Sequence, residues 1–159
     1  MPSPTTLVIA KTWDGALLSE QERASVTITQ NETSWSITID APLATDPPPT
    51  SPPGSTSRLW EFQVVELMLL GDNDQYLELE FGPYGHYLVL ELSGRRNCVR
   101  QGHAMCFEAT RGRGRWCGKA QIPTAWIPPG CSRVNAYAIR GQGEARRYMA
   151  HSPTGGDVP

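Results

Sequence analysis

The sequence predicts an all-β fold, an antiparallel β-sandwich or jelly roll of about nine strands. Three observations carry this. Short runs rich in β-branched and aromatic residues recur along the whole chain, alternating apolar with polar at the two-residue period of a half-buried strand. Clusters of Gly, Pro, Asn and Asp separate the runs, and the chain holds 15 Gly and 14 Pro with which to build such turns. No stretch keeps a helical period over a useful length.

Taken in order, Leu7 to Ala10 reads as a short edge strand and Trp13-Asp14-Gly15 as a turn. Ala24 to Thr29 and Trp35 to Asp40 alternate on either side of Gln30-Asn31-Glu32-Thr33, which predicts a hairpin. Trp35 is in phase with Ile37 and Ile39 and so belongs to the core. Residues 45–57 read TDPPPTSPPGSTS, with five prolines and no large apolar residue. Proline cannot donate to a ladder, so this is a surface loop of polyproline character.

The stretch from Leu59 to Asn97 predicts three successive strands: Phe62 to Leu70, Tyr76 to Phe81 and Tyr87 to Leu92. Turns fall at Gly71-Asp72-Asn73-Asp74 and Gly82-Pro83-Tyr84-Gly85. In the second strand Leu77, Leu79 and Phe81 oppose Tyr76, Glu78 and Glu80, and that polar face reads as solvated. Arg95 to Ala104 is polar and reads as a loop. Phe107 to Thr110 and Trp116 to Ile122 flank Arg111-Gly112-Arg113-Gly114-Arg115, a good hairpin tip. Pro123 to Trp126 makes one helical turn. Arg133 to Arg140 alternates again, with Val134, Ala136 and Ala138 opposite Asn135, Tyr137 and Ile139. A last strand lies near Arg146 to Ala150. One domain over 1–153 follows, with 154–159 a frayed tail.

Charge narrows the function. The net charge is -2, which gives no global drive toward nucleic acid, and no recognition motif accompanies the local excess of arginine between Arg95 and Arg115. Twelve of the 14 basic residues are arginine, the side chain better suited to planar carboxylates. No apolar run approaches the roughly 18 residues of a membrane helix, and the N-terminus lacks a signal-peptide pattern. An intracellular protein with Cys98, Cys106, Cys117 and Cys131 as reduced thiols is the expectation.

Glu66 is the most informative acid. A regular strand puts it on the face of Trp60, Phe62, Val64 and Met68, where a carboxylate must be paired, neutralised or open to a cleft. Trp60 opens the central strand and offers a flat stacking platform. Ser93-Gly94-Arg95-Arg96-Asn97 gathers two guanidinium groups and an amide at a strand end, a cluster suited to carboxylate, phosphate or sugar hydroxyls. Metal signals are sparse: His103 and Cys106 lack a paired C-x-x-C, and no cofactor is expected beyond a calcium ion at Asp72, Asn73 and Asp74, residues a turn also selects. No G-x-S-x-G occurs, and Gly112 to Lys119 departs from a phosphate loop in glycine spacing and at Ala120. Glu78 and Glu80 have the composition of a glycosidase pair, so an enzyme using Glu66 or Glu78 stands as the least supported class.

Leu59-Trp60, Val64-Val65-Glu66, Tyr76-Leu77-Glu78-Leu79-Glu80, the Pro83 to Leu90 segment and Leu92-Ser93-Gly94-Arg95-Arg96-Asn97 together resemble a eukaryotic family of uncharacterised proteins. That family is similar to family 9 carbohydrate-binding modules and to the wider DOMON-like sandwiches. Thr12-Trp13-Asp14-Gly15, the Asp46-Pro47-Pro48 loop, Trp116-x-Gly118-Lys119-Ala120, Asn135-x-x-Ala138-Ile139 and Arg147 with Tyr148 extend the resemblance to nearly the whole chain. It implies a carbohydrate-binding-module-like sandwich that binds without catalysis, with a sugar held in a cleft of Trp60, Glu66, Arg95, Asn97, Asn135 and Arg140. It also implies a second tryptophan three residues past the asparagine, where Ala138 stands. An unbroken strand would set Trp60 and Glu66 roughly 20 Å apart, so both reach one sugar only if the chain bends after Trp60. The alternative is a scaffold in a larger assembly, with the Pro-rich loop and the Arg-rich hairpin as protein-contact surfaces.

Overall fold

The computed structural model describes residues 3–153; the tail predicted at 154–159 lies outside the described residues. Two sheets make up the fold. The first holds β1 (Thr5–Ile9), β3 (Ala24–Gln30), β4 (Ser34–Pro42), β11 (Arg115–Pro123) and β10 (Cys106–Arg111), in the spatial order β1-β3-β4-β11-β10. The second runs β2 (Lys11–Thr12), β13 (Arg147–Ala150), β12 (Arg133–Arg140), β6 (Val64–Leu70), β7 (Gln75–Phe81), β8 (His86–Ser93) and β5 (Gly54–Ser55), with β9 (Cys98–Gln101) also paired to β8. Every pairing is antiparallel except the two-residue contact of β5 with β8. Only short 3₁₀ turns break the strands; no α-helix occurs among the described residues.

The predicted hairpins form as the alternation requires. β3 pairs with β4 about the Asn31 turn, where the Asn31 side chain accepts from the Thr33 and Ser34 N–H groups. The inward positions of both sheets meet in one core. Val26, Ile37, Ile39 and Trp116 come from the first sheet, and Leu67, Leu77, Leu79 and Val89 from the second. Trp35 is buried there as predicted, and Trp116 joins it. The four cysteines are unpaired thiols.

Three strands escaped the sequence. β2 and β5 are two residues long, too short for any pattern. β9 is a correction: the supposed loop from Arg95 to Ala104 contains a strand laid along β8. All four β9 residues are exposed, so no buried face imposed an alternation that could be read.

The second sheet is covered on both faces at its centre. Its outward residues Val64, Leu88, Leu90, Leu92 and Ile139 form a second apolar cluster with the buried Leu59. This explains why β6 and β8 read as nearly continuous apolar runs.

Candidate functional site

Strand register builds the site. Glu66 of β6 lies directly opposite Glu80 of β7, and Met68 lies opposite Glu78. Opposed residues share a face, as do residues two apart, so all three carboxylates leave the sheet on its outer side. One oxygen from each lies within 4.8 Å of those of the other two. Tyr137 of β12 flanks Glu66, while Leu88 and Leu90 of β8 flank Glu80 and Glu78.

The polar face of β7 is therefore not solvated as the sequence reading had it. Glu80 is 0% exposed, Glu66 6%, and Glu78 is half-buried. The acids share this outer face with the second apolar cluster, built from outward residues of β6, β8 and β12 together with Leu59. Burial is the main force on all three acids and pushes each carboxyl up. Glu66 rises to about 7, held back by a hydrogen bond with Glu80 and by the charge of Arg146. Glu78 rises to about 8, with the Glu66 charge adding to burial. Glu80 rises furthest, to about 10, because both neighbouring carboxylates repel its charge as well. Neither Glu80 oxygen has a hydrogen-bond donor in the protein. Two ionised carboxylates can only face each other as acceptors; a proton on Glu80 turns that contact into an O–H donated to Glu66.

Glu66 and Glu78 form the floor of an open cavity of about 950 Å³. Met68, Tyr76, Leu90, Leu92 and Ile139 complete the floor. One wall comes from Trp60 and Glu61 together with Gln142, Gly143, Arg146 and Tyr148; the other comes from Arg96 and the β9 residues Cys98 and Gln101.

The bend the sequence demanded after Trp60 exists. Leu59–Glu61 is a 3₁₀ turn, and the strand starts only at Val64. Leu59, 0% exposed, anchors the turn, and Arg58 before it adopts a left-handed φ of 58° and pairs with Glu61. Buried Gln63 then donates to the Pro42 carbonyl at 2.7 Å and accepts from the Ala44 N–H at 3.1 Å, tying the turn to the end of β4. Arg146 donates to the Trp60 carbonyl and, through Nε, to the Tyr148 hydroxyl at 3.1 Å. Trp60 is thereby fixed by its backbone while the residue stays 38% exposed at the rim.

The other predicted residues divide. Arg95 and Asn135 line a neighbouring groove of about 720 Å³, which shares Met68 and Tyr76 with the first cavity. Asn135 is committed within the protein: its Nδ2 donates to Tyr137 Oη and the Ser152 carbonyl, and its Oδ1 accepts from the Ala136 and Ser152 N–H groups, all at 2.9 Å. Asn97 donates to the Ser93 carbonyl at 2.9 Å and closes the turn between β8 and β9. Arg140 donates to the Glu22 carbonyl at 3.0 Å. Neither Asn97 nor Arg140 is among the residues lining the two cavities. Ala138 faces the main core. His103 sits 3.0 Å from Glu91 and stacks near Trp126.

The sequence reading missed Glu78, Arg146, Tyr148 and Tyr76 as cleft residues. One signal was present for Glu78: the turn at Gly71 to Asp74 fixes a register that sets Glu80 opposite Glu66, and Glu78, two residues away, shares that face opposite Met68. Nothing local announces Arg146 or Tyr148.

A two-sheet β-sandwich with a cleft on one outer face is the class that fold and site define. A solved structure of the same architecture, titled a "putative carbohydrate-binding protein" from Bacteroides uniformis, superposes with a TM-score of 0.70 over 99% of this chain and 80% of that one, at 14% identity. That identity level establishes the shared fold and nothing finer. No protein-family profile matches the chain. Similarity over most of the chain supplies the family instead. The UPF0462 protein C4orf33 of Homo sapiens is 38% identical over 148 residues, covering 91% of this chain and 74% of that protein. Its homologue in Mus musculus is 40% identical and that in Danio rerio 35%, each over 148 residues. The chain belongs to the UPF0462 (C4orf33) family.

Proposed function

We propose that this protein is a non-catalytic binding module whose ligand is a carbohydrate, taken up in the cleft at Trp60. The observation that carries the reading is the pairing of a half-exposed tryptophan, pinned through its backbone, with carboxyls on the floor of one cavity. A sugar presents C–H groups to an aromatic ring and hydroxyls to carboxylates, and this cleft offers both. The volume of about 950 Å³ falls in the range of small-molecule sites. Tyr148 and Tyr76 supply aromatic surface in place of the tryptophan absent at Ala138. The description of the Bacteroides uniformis protein and the resemblance to family 9 modules support the same ligand class. Glu66 and Glu78 would accept from hydroxyls when ionised and donate when protonated.

The test is calorimetric titration with a panel of sugars, run beside tryptophan fluorescence. The Trp60→Ala variant should bind the responding sugar at least tenfold more weakly, about 1.4 kcal/mol. Trp60→Phe should retain much of the heat and lose the fluorescence shift. Unchanged affinity in Trp60→Ala, or no response to any sugar, would overturn the reading. A stable set of co-purifying proteins from native lysate alongside that silence would instead favour the scaffold alternative.

A further inference from the structure

We propose that Glu66, Glu78 and Glu80 form a binding site for a hard divalent cation of the calcium class, at the floor of the cleft. Three carboxylates and no nitrogen or sulfur donor select calcium, magnesium or manganese over zinc or copper. With mutual distances no greater than 4.8 Å, the three oxygens can reach one ion with bonds of about 2.3–2.6 Å. Magnesium, which demands near-ideal octahedral geometry and gives up its waters reluctantly, is less suited than calcium to a cluster made of protein carboxylates.

Spacing alone would not carry this, since acids often gather without a metal. Glu80 adds the independent observation. It is 0% exposed, and neither of its oxygens meets a donor. Buried polar atoms are normally satisfied, and a buried carboxylate that meets no donor and faces a second carboxylate needs either a proton or a cation between the two. The ion pairs among the described residues serve other acids: Arg58 joins Glu61, Arg100 and His103 join Glu91, Arg115 joins Asp40 and Arg147 joins Glu22. Arg146, the cation whose field reaches Glu66, spends its hydrogen bonds on backbone carbonyls and on Tyr148. Access is open, because Glu66 and Glu78 face the cavity while Glu80 stands behind them. An ion held there keeps coordination positions on the cavity side for water or for ligand oxygens.

The inference does not rest on the sugar reading, and its test contains no sugar. The full chain, stripped with chelator and then freed of it, is titrated with calcium alone by calorimetry at pH 7.5. One equivalent should bind. Glu80→Gln and Glu78→Gln should each weaken binding at least tenfold, while Asp72→Asn, on the exposed turn, should leave it unchanged. Terbium, a calcium stand-in, gives a readout that does not depend on variants lacking a ligand. Tyrosine-sensitised emission should appear on binding, be displaced by calcium, and fall in Tyr137→Phe, whose ring neighbours Glu66. No binding of calcium, magnesium or manganese by the wild-type chain would overturn the site, as would affinity unaltered by Glu80→Gln and Glu78→Gln or lost in Asp72→Asn. Trp60→Ala should bind calcium normally, which separates a failed sugar reading from a failed metal site.

Discussion

Replacing Glu80 by Gln in the metal-free protein should reverse the usual expectation that removing a buried group destabilises. In the fold the Glu80 carboxyl is pushed from its ordinary 4.5 to about 10 by burial and by its two acidic neighbours. The folded chain therefore holds a proton that the unfolded chain releases above pH 4.5. The sign follows from linkage: where the native state binds more protons, stability falls as pH rises. This contribution is fully present below the unfolded value, declines by about 1.4 kcal/mol per pH unit above it, and is exhausted as pH passes the folded value. Between pH 5 and 7 Glu80 alone removes about 3 kcal/mol from the wild type, order of magnitude. Gln keeps the shape, carries no charge at any of these pH values, and can donate an amide N–H to Glu66 where the carboxyl donated its O–H. Urea unfolding in chelator at pH 5, 6 and 7 measures the difference. The gap between variant and wild type should move in the variant's favour by about 3 kcal/mol over that range, equivalent to roughly 6–12 °C in Tm. Parallel stabilities from pH 5 to 7 would refute the argument, because they would mean that Glu80 is ionised in the fold. Saturating calcium should invert the ranking, since only the wild type then has its third carboxylate ligand.

Two further outcomes are expected. Asp46 is buried and both its oxygens accept from the Gly141 N–H at 3.0 Å. Asp46→Ala strands that N–H at a cost of about 1–3 kcal/mol; because the Gly141 carbonyl also receives Arg146, chemical denaturation should show the loss and sugar titration a weaker cleft. Ala138→Trp, which restores the residue type implied by the family 9 resemblance, should lower stability by about 1–3 kcal/mol or more through overpacking, since Ala138 faces the core. A raised sugar affinity with unchanged Tm would contradict that placement.

Much of the fold could be read from alternation because the main core is built from inward positions of long strands. Val26, Ile37 and Ile39, or Leu77 and Leu79, declare their face without help from the rest of the chain. The site was half legible. Glu66 was conspicuous as an acid among apolar neighbours, and Trp60 was placed beside it on the condition of a bend, which the 3₁₀ turn supplies. Glu78 and Glu80 were misread because period two separates the faces of a sheet without saying which face meets water. That depends on the neighbouring strands, and here the outward residues of β6, β8 and β12 that share the face with the acids are apolar, packed together with Leu59. β9 was invisible for the opposite reason: with four exposed residues it exists only through its hydrogen bonds to β8. Asn135, marked for a ligand, has its amide engaged in holding the backbone at Ser152, a role no local pattern announces.

The Arg146 bond to the Trp60 carbonyl joins positions 86 residues apart. Arg146 itself stands immediately before β13, a four-residue strand whose far side is held by the two residues of β2 and a bond from the Trp13 N–H to the Tyr148 carbonyl. Such edges open before a domain unfolds as a whole. The tryptophan rim thus shares its fastening with the thinnest margin of the sheet. On the binding proposed for this cleft, its occupancy and the closure of that margin would be a single equilibrium: a ligand drawn against Trp60 would tighten the edge, and fraying at the edge would loosen the grip on it before the core gives way.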